Sequence, residues 1–210
     1  MTKVKICGIS NYKDALNAVK LGADYIGLNF YKHSPRYVEK SKAKKIIEKL
    51  KGQKFHFEIV GVFVNEKIGE IKKITDFCNI DLIQLSGDEN LDFLRNFKKV
   101  SNKRIIKSFR IRKKNFLEKF FFPIADYILL DSYKKGFYGG TGTKFDWSIA
   151  NEANKGRLFL SGGLNVDNVD DAIKRINPYA VDVCSGVEIR PGKKDFEKIK
   201  KFIKTVNLVL

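Results

Sequence analysis

Short apolar runs alternate with longer stretches of helical period, and they do so about eight times along the chain. The strand candidates are "VKI", "YIGLNF", "IVGVFV", "DLIQL", "RIIKSF", "YILL", "RLFL" and "AVDV". Between and after them lie helix candidates at Tyr12 to Leu21, Lys40 to Leu50, Lys67 to Phe77, Leu91 to Phe97, Lys113 to Phe121, Asp146 to Asn154, Asp167 to Ile176 and Lys194 to Asn207. A regular strand and helix alternation implies a parallel sheet, because parallel neighbours need a crossover and a helix supplies it. Eight such units in 210 residues favour a closed (β/α)8 TIM barrel over an open doubly wound sheet. No shift of composition marks a second domain, so residues 1–210 read as a single barrel.

Composition narrows the class further. Hydrophobic residues at 43% and charged residues at 31% fit a globular chain, and no apolar run is long enough to span a membrane. The chain begins in strand-like sequence without an apolar leader. Its three cysteines, Cys7, Cys78 and Cys184, lack zinc-ligand spacing. A cytoplasmic protein with free thiols is expected. The 41 Lys and Arg against 24 Asp and Glu could attract nucleic acid or steer a polyanionic substrate. The lysines in "EKSKAKKIIEKLKGQK" and "FEKIKKFIKTV", however, fall on the outer faces of amphipathic helices, which describes a solvated surface.

Strand parity sorts the polar residues. Helices pack on the apolar face of each strand, so in strand one Val4 and Ile6 point outward while Lys5 and Cys7 point into the barrel. By the same reading Leu129 and Asp131 point inward on strand six, and Asp182 and Cys184 on strand eight. Active sites of such barrels lie at the C-terminal strand ends, where these polar residues gather, and Asp182 is counted among those facing substrate. Closure of the barrel would pair strand eight with strand one. A Lys5–Asp182 ion pair beneath the Cys7 thiol is therefore expected.

Three glycine-rich turns follow strands six, seven and eight: "YGGTGTKFDW", "SGGLN" and "CSGVE". Glycine lets backbone N–H groups approach an anion, so the three turns together read as a phosphate cradle. Arg36, in "NFYKHSPRYV" after strand two, carries a planar donor fork that suits a carboxylate. The alternative for a lone arginine is a surface residue anchoring its own loop. Neither His33 nor His56 has a partner at ligand spacing, and no metal site is expected.

The series "KICGIS", "NFYKHSPRYV", "VGVFVN", "IQLSGDE", "LLDS", "GGTGTKFDW", "LSGGL" and "VDVCSGVE", followed by "PGKKD", resembles the motifs of the phosphoribosylanthranilate isomerase family of tryptophan biosynthesis. The match runs in order from Lys5 to Asp195. The resemblance implies a (β/α)8 barrel that converts N-(5'-phosphoribosyl)anthranilate into 1-(2-carboxyphenylamino)-1-deoxyribulose 5-phosphate by a cofactor-free Amadori rearrangement. It implies Cys7 as general base and Asp131 as general acid. Arg36 would hold the anthranilate carboxylate, and the turns containing Gly140, Thr141, Gly142, Gly162, Gly163, Ser185 and Gly186 would hold the phosphate.

Two positions depart from the family pattern: Ser86 stands where histidine is common, and Cys184 where a smaller polar residue is often found. Cys78 reads as a core residue. The competing readings are another phosphate-binding barrel of sugar or indole metabolism and a basic nucleic-acid-binding protein. The first would need a catalytic lysine and glutamate set or metal ligands, and the second leaves the phosphate turns unexplained. The expected partner is thus a small phosphorylated molecule, with neither a specific nucleic acid nor a membrane, and oligomeric state is left open.

Overall fold

The computed structural model describes residues 1–111, 123–132 and 147–209. Eight parallel strands close into a barrel in chain order: β1 (Lys3–Ile6), β2 (Tyr25–Asn29), β3 (Glu58–Phe63), β4 (Leu82–Leu85), β5 (Arg104–Ile111), β6 (Tyr127–Ser132), β7 (Leu158–Leu160) and β8 (Ala180–Val183). Closure is made by β1 pairing with β8, with Lys5 opposite Asp182 and Ile6 opposite Val183. The (β/α)8 barrel expected from the alternation is the fold of the chain.

Around it run α1 (Tyr12–Lys20), α2 (Lys40–Lys51), α3 (Ile68–Cys78), α4 (Leu91–Val100), α5 (Val169–Ile176) and α6 (Phe196–Leu208). Their apolar spacing explains their placement: α2 buries Ala43, Ile46, Ile47 and Leu50, while α6 buries Ile199, Phe202, Ile203 and Val206. Asparagine or aspartate begins several of them. Asn11, Asn90 and Asp195 each accept a bond from a first-turn N–H of α1, α4 and α6.

The elements differ from the sequence expectation in two places. Trp147–Glu152 is a 3-10 segment where an α-helix from Asp146 to Asn154 was expected. Six residues give too few propagating bonds to offset the cost of nucleating an α-helix, and so short a piece closes as the tighter 3-10 turn. Lys194 is not helical either. It belongs to a hairpin of β9 (Glu188–Arg190) and β10 (Lys193–Lys194), and α6 starts after the Asp195 cap. The helix expected from Lys113 to Phe121 lies outside the described residues.

Parity holds as expected. Val4, Ile6, Leu130, Val181 and Val183 join the shell between strands and helices. The lumen is filled by Tyr25, Val60, Leu82, Ile106, Leu129, Phe159 and Ala180. These form an apolar plug, which leaves chemistry to the C-terminal mouth. Among the described residues no helix is long and apolar enough to cross a membrane.

Candidate active site

Cys7 follows directly on β1, and its backbone N–H donates to Val183 O at 2.9 Å, so the barrel seam itself fixes the residue. Below it, Lys5 Nζ lies 2.7 Å from Asp182 Oδ1, with the lysine wholly buried. Burial opposes the Lys5 charge, but Asp182 and Cys7 outweigh it and hold its pKa above the ordinary value. Ser161 Oγ donates to the other Asp182 oxygen at 3.4 Å. The expected ion pair is present.

The thiol of Cys7 is shifted in the direction a base requires. A hydrogen bond with Cys184 favours its thiolate, burial opposes this, and the Lys5 ammonium favours it again; its pKa falls to about 7. Cys184 moves the opposite way, pushed up by the same bond and by burial. Cys78 is a buried residue of α3 with its thiol donating to Lys40 O at 3.4 Å, and burial pushes it up to about 11.

Asp131 sits near the end of β6, where its Oδ1 accepts from Ser132 N–H at 2.7 Å. Burial raises its pKa to about 6 against that bond, with the Asp182 charge adding to the rise. Cys7 and Asp131 therefore feel the same Lys5–Asp182 pair from the same end of the barrel. Because the Cys7 thiol titrates at about 7 and the Asp131 carboxyl at about 6, the thiolate with carboxylic acid is the minority protonation state near neutral pH, under about a tenth of the free protein. A shift of either group is needed to enlarge it.

Arg36 is buried, and its Nε and Nη2 clasp the Glu188 carboxylate at 2.9 and 2.7 Å. It therefore does not anchor its own loop, since Glu188 lies beyond β8. Lys194 Nζ reaches the same carboxylate at 3.0 Å, and Cys184 O at 3.0 Å. Burial would raise the Glu188 pKa, but Arg36 and Lys194 hold it below the usual carboxylate value. The β9–β10 hairpin makes this cluster by placing Lys194 opposite Glu188. Sequence reasoning assigned no role to Glu188 or Lys194. The available signal was Pro191-Gly192, a turn pair that folds the charges flanking it toward each other.

Of the three glycine turns, two are described. Gly162 and Gly163 both adopt positive φ, at 86° and 70°, a conformation other residues resist. Gly186 lies in a 3-10 turn, Ser185–Val187, and a Cβ there would collide with the Leu164 carbonyl oxygen. The turns after β7 and β8 are therefore in direct contact. Gly140, Thr141 and Gly142 lie outside the described residues. Ser86, on the β4 side of the lumen, accepts from Gln84 Nε2 at 2.9 Å, while Gln84 Oε1 is buried with no partner among the described residues.

The family model for N-(5'-phosphoribosyl)anthranilate (PRA) isomerase matches residues 4–205. The isomerase of Trichlorobacter lovleyi is 45% identical over 216 residues, covering 100% of both chains. Among solved structures, phosphoribosyl anthranilate isomerase from Thermotoga maritima is 39% identical with a TM-score of 0.88, covering 99% of each chain. A phosphoribosyl anthranilate isomerase in complex with reduced 1-(o-carboxyphenylamino)-1-deoxyribulose 5-phosphate is 37% identical, with a TM-score of 0.85 over 99% of each chain. With barrel, motif order and sequence in agreement from end to end, the chain belongs to the N-(5'-phosphoribosyl)anthranilate isomerase family.

Proposed function

We propose that this chain, a single catalytic domain over residues 1–210, isomerises N-(5'-phosphoribosyl)anthranilate to 1-(2-carboxyphenylamino)-1-deoxyribulose 5-phosphate, with Asp131 as acid and Cys7 as base. The observation that carries the reading is the shared mouth. There burial keeps Asp131 protonated to about pH 6, while Cys184 and Lys5 help draw Cys7 down to about 7. A general acid and a general base work best when their pKa values lie close to the working pH. Asp131 gives its proton to the ribose ring oxygen, the C1'–oxygen bond breaks, and the anthranilate nitrogen lone pair forms the C1'=N bond. The cation makes the C2' proton acidic. Cys7 thiolate removes it, and the C–H electrons form the C1'=C2' bond of an enolamine. Protonation at C1' and loss of the enol proton give the ketone, with no net gain or loss of atoms.

Charge supports the assignment of the substrate's two anionic ends. Arg36 and Lys194 share one carboxylate, Glu188, so that cluster keeps one positive charge in surplus. Among the described residues the Arg36 side chain bonds through Nε and Nη2 to Glu188, and its Nη1 is the donor this reading assigns to the anthranilate carboxylate. Gly162, Gly163, Ser185 and Gly186, with Gly140, Thr141 and Gly142, form the phosphate cradle in this reading, and Asp182 fixes the floor beneath the substrate. Three free cysteines fit a cytoplasmic enzyme, where thiols stay reduced. The test follows anthranilate fluorescence during turnover of the phosphoribosyl substrate by the protein and by Arg36→Ala. Turnover with KM raised about tenfold or more in the variant is expected. No turnover by the unaltered protein would end the reading, and an unchanged KM would remove Arg36 as the clamp.

A further inference from the structure

Cys184 is a thiol that the isomerisation does not consume, yet it stands beside the one thiol that the isomerisation needs. The pairing of β1 with β8 ends at Ile6 opposite Val183, and the Cys7 N–H still donates to Val183 O at 2.9 Å, so Cys7 and Cys184 are the next residues of two paired strands. Both turn toward the lumen, since Ile6 and Val183 occupy the outer shell. Neighbouring strands run about 4.8 Å apart. That spacing falls within the Cα separations of about 4.4 to 6.8 Å that a disulfide spans.

The sulfurs are seated over two glycines. A Cβ on Gly27 would lie 2.8 Å from Cys7 Sγ, and one on Gly8 would lie 2.8 Å from Cys184 Sγ. The Gly8 backbone that follows Cys7 directly thus carries the Cys184 sulfur, which ties the two thiol sites together across the seam. Cations surround them: Lys5 lies beneath Cys7, and Lys194 Nζ is 3.8 Å from Cys184 Sγ. Cys184 is partly exposed and Cys7 is 9% exposed, so a small oxidant reaches them through the open mouth. Cys78 sits away from this site, on α3, and serves as an internal reference.

We propose that Cys7 and Cys184 form an oxidisable dithiol, in which hydrogen peroxide oxidises Cys7 and Cys184 then closes a reversible Cys7–Cys184 disulfide across the barrel seam. In the first step the Cys7 thiolate attacks the peroxide, the O–O bond breaks, and sulfenic acid and water form after uptake of one proton. In the second step the Cys184 sulfur attacks the sulfenic sulfur, the S–O bond breaks, and the Cys184 proton leaves with the hydroxyl as water. The two sulfurs lose two electrons in total, and these reduce one peroxide to two waters. A dithiol reductant reverses the bond. Because Cys184 traps the sulfenic acid, it protects Cys7 from the irreversible higher oxides. The disulfide rests on geometry alone, whereas the loss of activity that it brings rests on Cys7 being the base.

The experiment treats the full chain with hydrogen peroxide, then measures intact mass, peptide linkage and turnover before and after dithiothreitol. Activities of the protein and of Cys184→Ser are each normalised to the untreated sample. The protein should become lighter by two hydrogens, yield a Cys7–Cys184 cross-linked peptide, and lose turnover more than tenfold with recovery on reduction. Cys184→Ser should gain oxygens on Cys7 and stay inactive after reduction. An oxygenated Cys7 without cross-link in the unaltered protein would overturn the proposal, and this holds even if the variant fails to fold. Equal recovery of Cys184→Ser and the unaltered protein would overturn it too. A cross-linked protein with full turnover would leave the disulfide standing and remove Cys7 from the chemistry instead.

Discussion

At Asp131 the fold holds a carboxyl where water cannot solvate its charge, and this has a thermodynamic signature apart from catalysis. An ordinary aspartate titrates near 3.9 in an unfolded chain, and burial raises Asp131 to about 6 in the fold. The folded state therefore retains a proton that the unfolded chain has lost, and stability from this group falls as pH rises from about 4 to about 6. Above that window the buried charge costs on the order of 2 to 3 kcal/mol. Asp131→Asn removes the charge while its amide oxygen can still accept from Ser132 N–H. Urea unfolding of the variant should show a stability gain at about pH 8 that disappears at about pH 4. A difference that is the same at both values would mean that Asp131 is not held in this way. Inward parity made Cys7, Asp131 and Asp182 legible in the sequence, because alternation on a strand fixes facing whatever the loops do. Glu188 and Lys194 were not legible. Their role depends on a hairpin that returns one charge onto another and onto Arg36 from a distant loop.

The β1–β8 seam is the element on which the proposed base, Cys7, depends. The register that sets Lys5 opposite Asp182 also carries Cys7 out of the sheet directly above them. This was readable because closure of a (β/α)8 barrel makes the last strand the second neighbour of the first, beside β2. Lys5→Met keeps the length of the side chain and removes its charge, so the Cys7 thiol should titrate at higher pH, and thiol alkylation rates plotted against pH should shift accordingly. Breaking a buried pair from one side costs about 3 to 5 kcal/mol, so the measurement is made well below the variant's lowered melting temperature. A folded variant whose Cys7 titrates at the original pH would make the pair a filler of the barrel. The misread elements share a cause. The 3-10 segment Trp147–Glu152 and the β9–β10 hairpin are short connections on which hydrophobic period gives little purchase.

Across the whole molecule the formal charge of +17 divides into two populations. Most lysines of α2 and α6 lie on the outer faces of their helices, whereas Lys5, Arg36 and Lys194 are buried at the mouth. If that outer positive shell steers substrate, it acts on a molecule bearing a phosphate and a carboxylate through a field screened over about 8 Å at physiological salt. Raising salt should therefore lower kcat/KM several-fold while kcat changes little. A kcat/KM indifferent to salt would make the shell a matter of solubility alone. The central claim is that Cys7 and Asp131 move the protons of the isomerisation, and single-site kinetics test it most directly. Cys7→Ala and Asp131→Asn, each shown folded by circular dichroism, should turn over phosphoribosylanthranilate about 10² to 10⁴ times more slowly than the unaltered protein. Turnover close to that of the unaltered protein in either folded variant would contradict the role given to that residue.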